Sequence, residues 1–315
     1  MTSAELHPTT DSFYSVLTER NHGFVSELAQ LRLSRATVLV AGCGSTGGAA
    51  VEPLARLGVQ RFILADVGAY ELNNLNRQNA FLDEIGEHKA VVCGRRVAQI
   101  NPGATARVER QGITADNVHD LVRQCDIVID GVDVTEPSGW AAKLLLHESA
   151  ARLGRPVISG YDMAGTQYVR FYGYQSGDRP FAGAISRADV DSGATWDLLR
   201  RVVPLRFVPV EMLDLARERV RSGQEGLSQV VYASLAFGAI ASRMVVSIME
   251  DSPVRIHTVV GLDSAVRRRG ANLRAAARKP VVVALALRDL AAIRREATNR
   301  ESTSRESTSR ESTRG

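Results

Sequence analysis

Residues 35–59 read "RATVLVAGCGSTGGAAVEPLARLGV", and this stretch decides the fold. An apolar β-run meets a glycine turn, and a helical segment follows that closes at Gly58. Gly42, Gly44 and Gly47 spell G-x-G-x-x-G between strand and helix. Glycines at that junction let the backbone approach a phosphate closely, and the helix N-terminus adds free N–H groups and partial positive charge. The next strand, "QRFILAD", ends on Asp66, 19 residues beyond Gly47, where a carboxylate can accept from both ribose hydroxyls. A nucleotide is therefore expected. These two features alone do not separate NAD from ATP.

Outward from this unit, strands and helices alternate. "GEHKAVVCGRRVAQIN" is helical and stops at Asn101-Pro102, "ATARVE" is a strand, and "TADNVHDLVRQ" is a helix. "CDIVIDGVD" is a buried strand, "SGWAAKLLLHESAARLG" a helix and "RPVISG" a strand. "GTQYVRFYGYQSG" alternates as a half-exposed antiparallel strand does. The expected class is α/β: a Rossmann-like, mostly parallel sheet flanked by helices, with an antiparallel extension in its C-terminal half. A helical pattern from about Ser12 to Leu33 precedes it, and residues 181–226 read as an irregular insertion within one domain.

The 315 residues are 44% hydrophobic and 23% charged, an ordinary balance for a globular protein. The formal charge of +4 and pI near 9.1 rest on arginine more than lysine. An arginine-rich solvated face accounts for this, and no nucleic-acid partner is expected. "VVYASLAFGAIASRMVVSIM", Val230 to Met249, is interrupted by Arg243 and serines and reads as a buried helix, so no membrane association is expected. Without a secretory pattern, and with Cys43, Cys93 and Cys125 lacking metal or redox spacing, a cytoplasmic location is expected.

The loop after Asp66 discriminates between nucleotides. It carries Asn73, Asn74, Asn76, Arg77 and Gln78, with Lys89 opening the next helix. The phosphates of ATP need charge-assisted hydrogen bonds from Arg and Lys, whereas a dinucleotide dehydrogenase leaves these cations without a task. "VIDGVD" then places Asp130 and Asp133 at the C-terminal end of a parallel strand, the edge at which open α/β sheets bind ligands. A carboxylate there can hold Mg²⁺, which takes one or two carboxylates together with phosphate oxygens.

With Val38–Gly47, Asp66, "NLNRQ" at 74–78, Lys89, Ile100-Asn101-Pro102 and Asp133 in this order, the sequence resembles the ThiF/MoeB/HesA family, relatives of the ubiquitin-activating enzymes. The resemblance runs from roughly Arg20 to Val260. It implies an ATP-dependent adenylyltransferase that activates a carboxylate as an acyl adenylate. It also implies Asp66 on the ribose, Asn74, Arg77, Gln78 and Lys89 on the phosphates, and Asp133 on Mg²⁺. A homodimer is implied, in which Arg20 reaches the ATP of the other subunit; an exposed helix arginine is the alternative. The implied substrate is a small ubiquitin-like carrier protein, a peptide or a metabolite. On this reading residues 1–35 form an N-terminal helical segment and residues 36–290 the ThiF-like adenylation domain. Residues 291–315 form a tail whose "NRESTSRESTSRESTRG" repeat lacks apolar residues and is expected to be disordered.

The sequence departs from relatives in several places. It has no C-x-x-C pair, so no zinc is expected. Residues 175–229 hold no cysteine, so an acyl adenylate without a thioester is expected, and the three cysteines read as core. Gly68 stands where relatives carry a second acid, and Val134 where they carry an asparagine after the metal Asp. These changes keep open a catalytically inactive nucleotide-binding scaffold, beside an NAD-dependent Rossmann oxidoreductase. Tyr161 and Asp162 are candidate contacts for the acceptor or acyl chain, with a surface turn as the other reading of Asp162.

Overall fold

The computed structural model describes residues 10–135, 137–192, 195–222 and 228–312. The first nine residues of the N-terminal segment and the last three of the tail lie outside the described residues. In chain order the strands are β1 (Thr37–Ala41), β2 (Arg61–Ala65), β3 (Thr105–Glu109), β4 (Ile127–Asp130), β5 (Val157–Met163), β6 (Thr166–Tyr172) and β7 (His257–Gly261). The helices before β4 are α1 (Thr10–Thr18), α2 (Glu27–Arg35), α3 (Ser45–Arg56), α4 (Lys89–Ile100) and α5 (Val118–Arg123). After it come α6 (Pro137–Leu153), α7 (Arg187–Ser192), α8 (Thr195–Val202) and α9 (Val210–Ser222). The last three are α10 (Val231–Met249), α11 (Leu262–Val266) and α12 (Arg269–Ser312).

One sheet runs β3-β2-β1-β4-β5-β6-β7. Its first five strands are parallel, while β6 and β7 are antiparallel additions. Chain direction across the sheet reverses between β1 and β4, so the segments leaving these strands diverge and open a crevice at their C-terminal ends. Val38, Val40, Leu64, Ile129, Ile158 and Val169 turn one face toward α3 and α10. There Ala50, Val51 and Leu54 meet Phe237, Ala241 and Val245. α10 is long and apolar enough to cross a bilayer, and half of it is buried inside the fold. On the opposite face α6 sends Lys143 and His147 onto β4.

The sequence pattern differs from the structure in four places. The helical run over Ser12–Leu33 is two helices joined by a single 3-10 turn, Glu19–Asn21, because Gly23 takes φ +86° and Ser26 caps α2 by accepting the Ala29 N–H at 3.2 Å. β6 is largely buried, because α10 packs on one face, against Val169, and Val202 and Phe207 meet Tyr168 on the other. The expected single domain is two compact units: Met1–Phe207 with Ser228–Leu262, and Val208–Leu227 with Asp263–Gly315. In the second unit Arg217 and Arg221 of α9 hold Asp289 of α12 at 2.9 and 3.2 Å. Finally, the α12 backbone is helical through Ser312, into the repeat for which composition predicts disorder. That repeat keeps Glu four residues before Arg, a spacing that favours helix.

Candidate nucleotide site

All predicted site residues fall in the first unit, and most converge on the crevice beside β1. Gly42 leaves β1 at φ +83°, donating its N–H to Ala65 O at 2.7 Å. A β-carbon on Gly42 would collide with the carbonyl of Gly131, and one on Gly47 with the carbonyl of Gly42. Backbone packing alone demands those two glycines. Gly44, the N-cap of α3, is different: a β-carbon there would meet only the Gln78 amide, at 3.7 Å. The fold leaves room above the α3 N-terminus, where a phosphate would gain the free N–H groups.

Asp66 splints this turn. Its Oδ2 accepts the Cys43 N–H at 2.6 Å and its Oδ1 the Gly68 N–H at 2.7 Å. Each oxygen keeps a lone pair for a ribose hydroxyl. Gln78 is half-buried, with an Oε1 that has no donor among the described residues. Arg77 is held by neutral acceptors: Gln229 Oε1 at 2.6 Å, Asn73 O at 2.8 Å and Asn76 Oδ1 at 2.9 Å. Neither Arg77 nor Lys89, both half-buried, makes an ion pair among the described residues. Asn74 is committed to the loop, its Oδ1 accepting the Glu71 N–H at 3.1 Å and its Nδ2 donating to Asn73 at 2.6 Å. The loop is pinned behind by buried Glu84, which takes Arg95 at 2.9 Å and Arg96 at 2.5 Å.

The two aspartates after β4 part company. Asp133 is exposed; its Oδ1 accepts the Thr135 N–H and Oγ–H at 2.9 and 2.8 Å, and its Oδ2 accepts no hydrogen bond among the described residues. One such carboxylate beside phosphate oxygens suits Mg²⁺. Asp130 is fully buried and unavailable to a metal. Its Oδ2 meets Lys143 Nζ at 2.5 Å, Ser159 Oγ at 2.6 Å and His147 Nε2 at 3.0 Å, while Oδ1 accepts the Val132 N–H at 3.2 Å. His147 lies 2.7 Å from the Tyr174 hydroxyl through Nδ1 and stacks on Phe181. With Phe181 N–H donating to Tyr174, the pattern fits a neutral imidazole that donates from Nε2 and accepts at Nδ1.

Burial pushes His147 below the usual imidazole value, against the pull of Asp130. The unfolded chain takes up this proton near pH 6.5, while the folded chain refuses it until lower pH. Stability is therefore complete above about pH 6.5 and declines as pH falls below it. Scanning calorimetry between about pH 7 and 5 should show Tm falling, with a shallower slope in His147→Gln. Sequence reasoning passed over Lys143 and His147. A lysine and a histidine four apart in the apolar "WAAKLLLHESAA" helix were the available signal.

A model of the ThiF family matches residues 18–189, more than half of the chain. The chain belongs to the ThiF family. It is similar to the sulfur carrier protein adenylyltransferase of Thermus thermophilus, at 31% identity over 132 residues, covering 42% of this chain and 47% of that protein. It is likewise similar to the vegetative HesA protein of Trichormus variabilis, at 34% over 137 residues, covering 43% and 49%. The chain spans about half the length of these curated relatives. Among solved structures, the E. coli tRNA N6-threonylcarbamoyladenosine dehydratase TcdA in complex with ATP has a TM-score of 0.54. It is 21% identical, with 78% of this chain and 98% of that one covered, a likeness of fold.

Seen as a ThiF family member, the chain gains a reason for Gly68. A β-carbon there would lie 3.3 Å from Asp66 Oδ1 and 3.4 Å from Lys89 Nζ. An acidic side chain at that position would sit on the lysine; with glycine, Lys89 lies beside Asp66 without an ion pair among the described residues. The three cysteines are buried, as their sequence context suggests. The thiol of Cys43 is pushed well up by its hydrogen bond with Cys93 and by burial, and burial pushes that of Cys125 to about 12. Tyr161 is buried too, and Asp162 stands in β5 rather than in a surface turn.

Proposed function

We propose that this chain is an ATP-dependent adenylyltransferase that activates a carboxylate as an acyl adenylate. The observation that carries the reading is a pair of half-buried cations, Arg77 and Lys89, that form no ion pair among the described residues and stand beside a glycine turn with room at Gly44. Withdrawing charge from water without compensation is costly, so such a pair suits an arriving polyanion. The adenylyltransferase named among its relatives and the ATP held by TcdA support the same conclusion.

In this reading Asp66 takes the ribose, and the α3 N-terminus with Gln78 takes phosphate oxygens. A substrate carboxylate oxygen attacks the α-phosphorus; the new P–O bond forms as the bond to pyrophosphate breaks. Lys89 and Arg77 neutralise the charge that moves onto the leaving pyrophosphate, and no general base is needed because the carboxylate is already ionised. Asp133 would hold Mg²⁺, which supplies Lewis-acid stabilisation when bound. With Cys43, Cys93 and Cys125 buried, the acyl adenylate reacts directly with its acceptor rather than through a thioester. Arg20, exposed in its 3-10 turn, serves the ATP of the second subunit of a homodimer. The substrate is the C-terminus of a small carrier protein or peptide, by analogy with the sulfur carrier named for the Thermus relative.

The test is ATP–pyrophosphate exchange with Mg²⁺, supplied with size fractions of cell extract. Exchange that requires one fraction and disappears in Asp133→Ala is the expected result. ATP binding without exchange in every fraction would instead indicate a nucleotide-binding scaffold.

A further inference from the structure

The arginines between β2 and the end of α4 are held in two different ways. Arg95 and Arg96 are held by carboxylates: Arg95 by Glu84 at 2.9 Å and Glu87 at 2.7 Å, Arg96 by Glu84 at 2.5 Å and Glu52 at 3.2 Å. Arg77 meets neutral oxygens alone among the described residues. Its Nε donates to Gln229 Oε1 at 2.6 Å, and its Nη1 to Asn73 O and Asn76 Oδ1 at 2.8 and 2.9 Å. A guanidinium carries five N–H donors. The two on Nη2 make no hydrogen bond among the described residues.

Gln229 is the member of this clamp that comes from far along the chain, two residues before α10. α10 packs so closely on α3 that a β-carbon on Gly238 would collide with the Ala49 carbonyl. In the first turn of α10, Ser234 Oγ lies 2.5 Å from the Oγ of Ser45, the first residue of α3. Gln229 therefore reaches Arg77 from the end of α10 that borders the α3 N-terminus. Asn76 fastens its backbone, donating from Nδ2 to Gln229 O at 3.4 Å.

We propose that Gln229 is the positioning residue for Arg77, and that its neutrality is what suits it to the task. Its amide oxygen fixes the guanidinium without cancelling the charge, and leaves Nη2 to the nucleotide phosphates. A carboxylate at this place would instead make the kind of ion pair that holds Arg95 and Arg96. Fixing a long side chain before the ligand arrives spares its ordering on binding, which amounts to roughly three- to tenfold in affinity. The proposal rests on the nucleotide reading of the site, in which Arg77 serves the phosphates that leave as pyrophosphate.

Calorimetric titration with ATP–Mg²⁺ and with AMP tests it on wild type, Gln229→Leu and Gln229→Glu. Gln229→Leu deletes the acceptor and should weaken ATP by roughly three- to tenfold. Gln229→Glu keeps the contact but pairs the charge, so it should weaken ATP by about ten- to a hundredfold while Tm holds or rises. AMP lacks the phosphates assigned to Arg77, and its affinity should stay level in both variants. In an Arg77→Ala background, Gln229→Leu should cost nothing further. Wild-type ATP affinity in Gln229→Glu, an equal loss for AMP, or additive losses in the double variant would each overturn the positioning role. Wild-type protein that binds neither ATP nor AMP would sink the nucleotide reading and this proposal with it; ATP binding indifferent to both variants would sink this proposal alone.

Discussion

Replacing Lys89 with alanine is expected to slow ATP–pyrophosphate exchange by roughly 10²- to 10³-fold, while Tm stays within about 2 °C of wild type. Lys89 is the first residue of α4, where an ammonium opposes the helix dipole, so the fold gains little from its charge. It also makes no ion pair among the described residues, so its removal orphans no carboxylate. What it removes is positive charge beside Asp66 and Gly68, at the rim of the room above Gly44. Gly44→Ala is the companion variant, since its methyl meets only Gln78 within the protein but occupies the space meant for phosphate. Both variants should retain the wild-type melting profile and lose exchange. A large drop in Tm with exchange intact would make Lys89 a structural residue instead.

Lys143→Ala should do the reverse, destabilising the protein by about 3–5 kcal/mol. For a chain of this size that lowers Tm on the order of 10 °C. Burial raises the Asp130 pKa, but the Lys143 charge and the His147 hydrogen bond more than offset it, holding the carboxyl far below the usual range. Its stabilising contribution is therefore present above the unfolded carboxylate value and lost only in strong acid. Without Lys143, Asp130 remains buried with neutral donors alone. Pairing Lys143→Met with Asp130→Asn removes both charges and should recover much of the loss, which a double-mutant cycle in thermal melts would measure. A single-variant loss below about 1 kcal/mol would contradict a closed buried ion pair. Because Asp130 also holds the Val132 N–H, the same pair fixes the start of the segment that carries Asp133.

These residues show how far sequence alone carries. The strand–turn–helix at Gly42–Gly47, the acid ending β2 and the lysine opening α4 were all legible, because each depends on neighbours close in the chain. Asn74 was legible as polar but not as a cap, since Glu71 lies close enough to claim it before any ligand does. The partner of Arg77, Gln229, is 152 residues away, and no local pattern points to it.

Asp130 and Asp133 show where the reading stopped. Three residues apart and chemically identical, they read as equivalent carboxylates at a strand end by pattern alone, and only the family resemblance singled out Asp133. β4 keeps Asp130 in the core beneath α6, and the chain beyond it turns Asp133 to solvent. By itself the sequence determined the nucleotide-binding frame and the family, which rest on short-range spacing of glycines, amides and charges. Only the tertiary structure decided which carboxylates are exposed, buried or paired, because that depends on the groups that distant segments pack against each one.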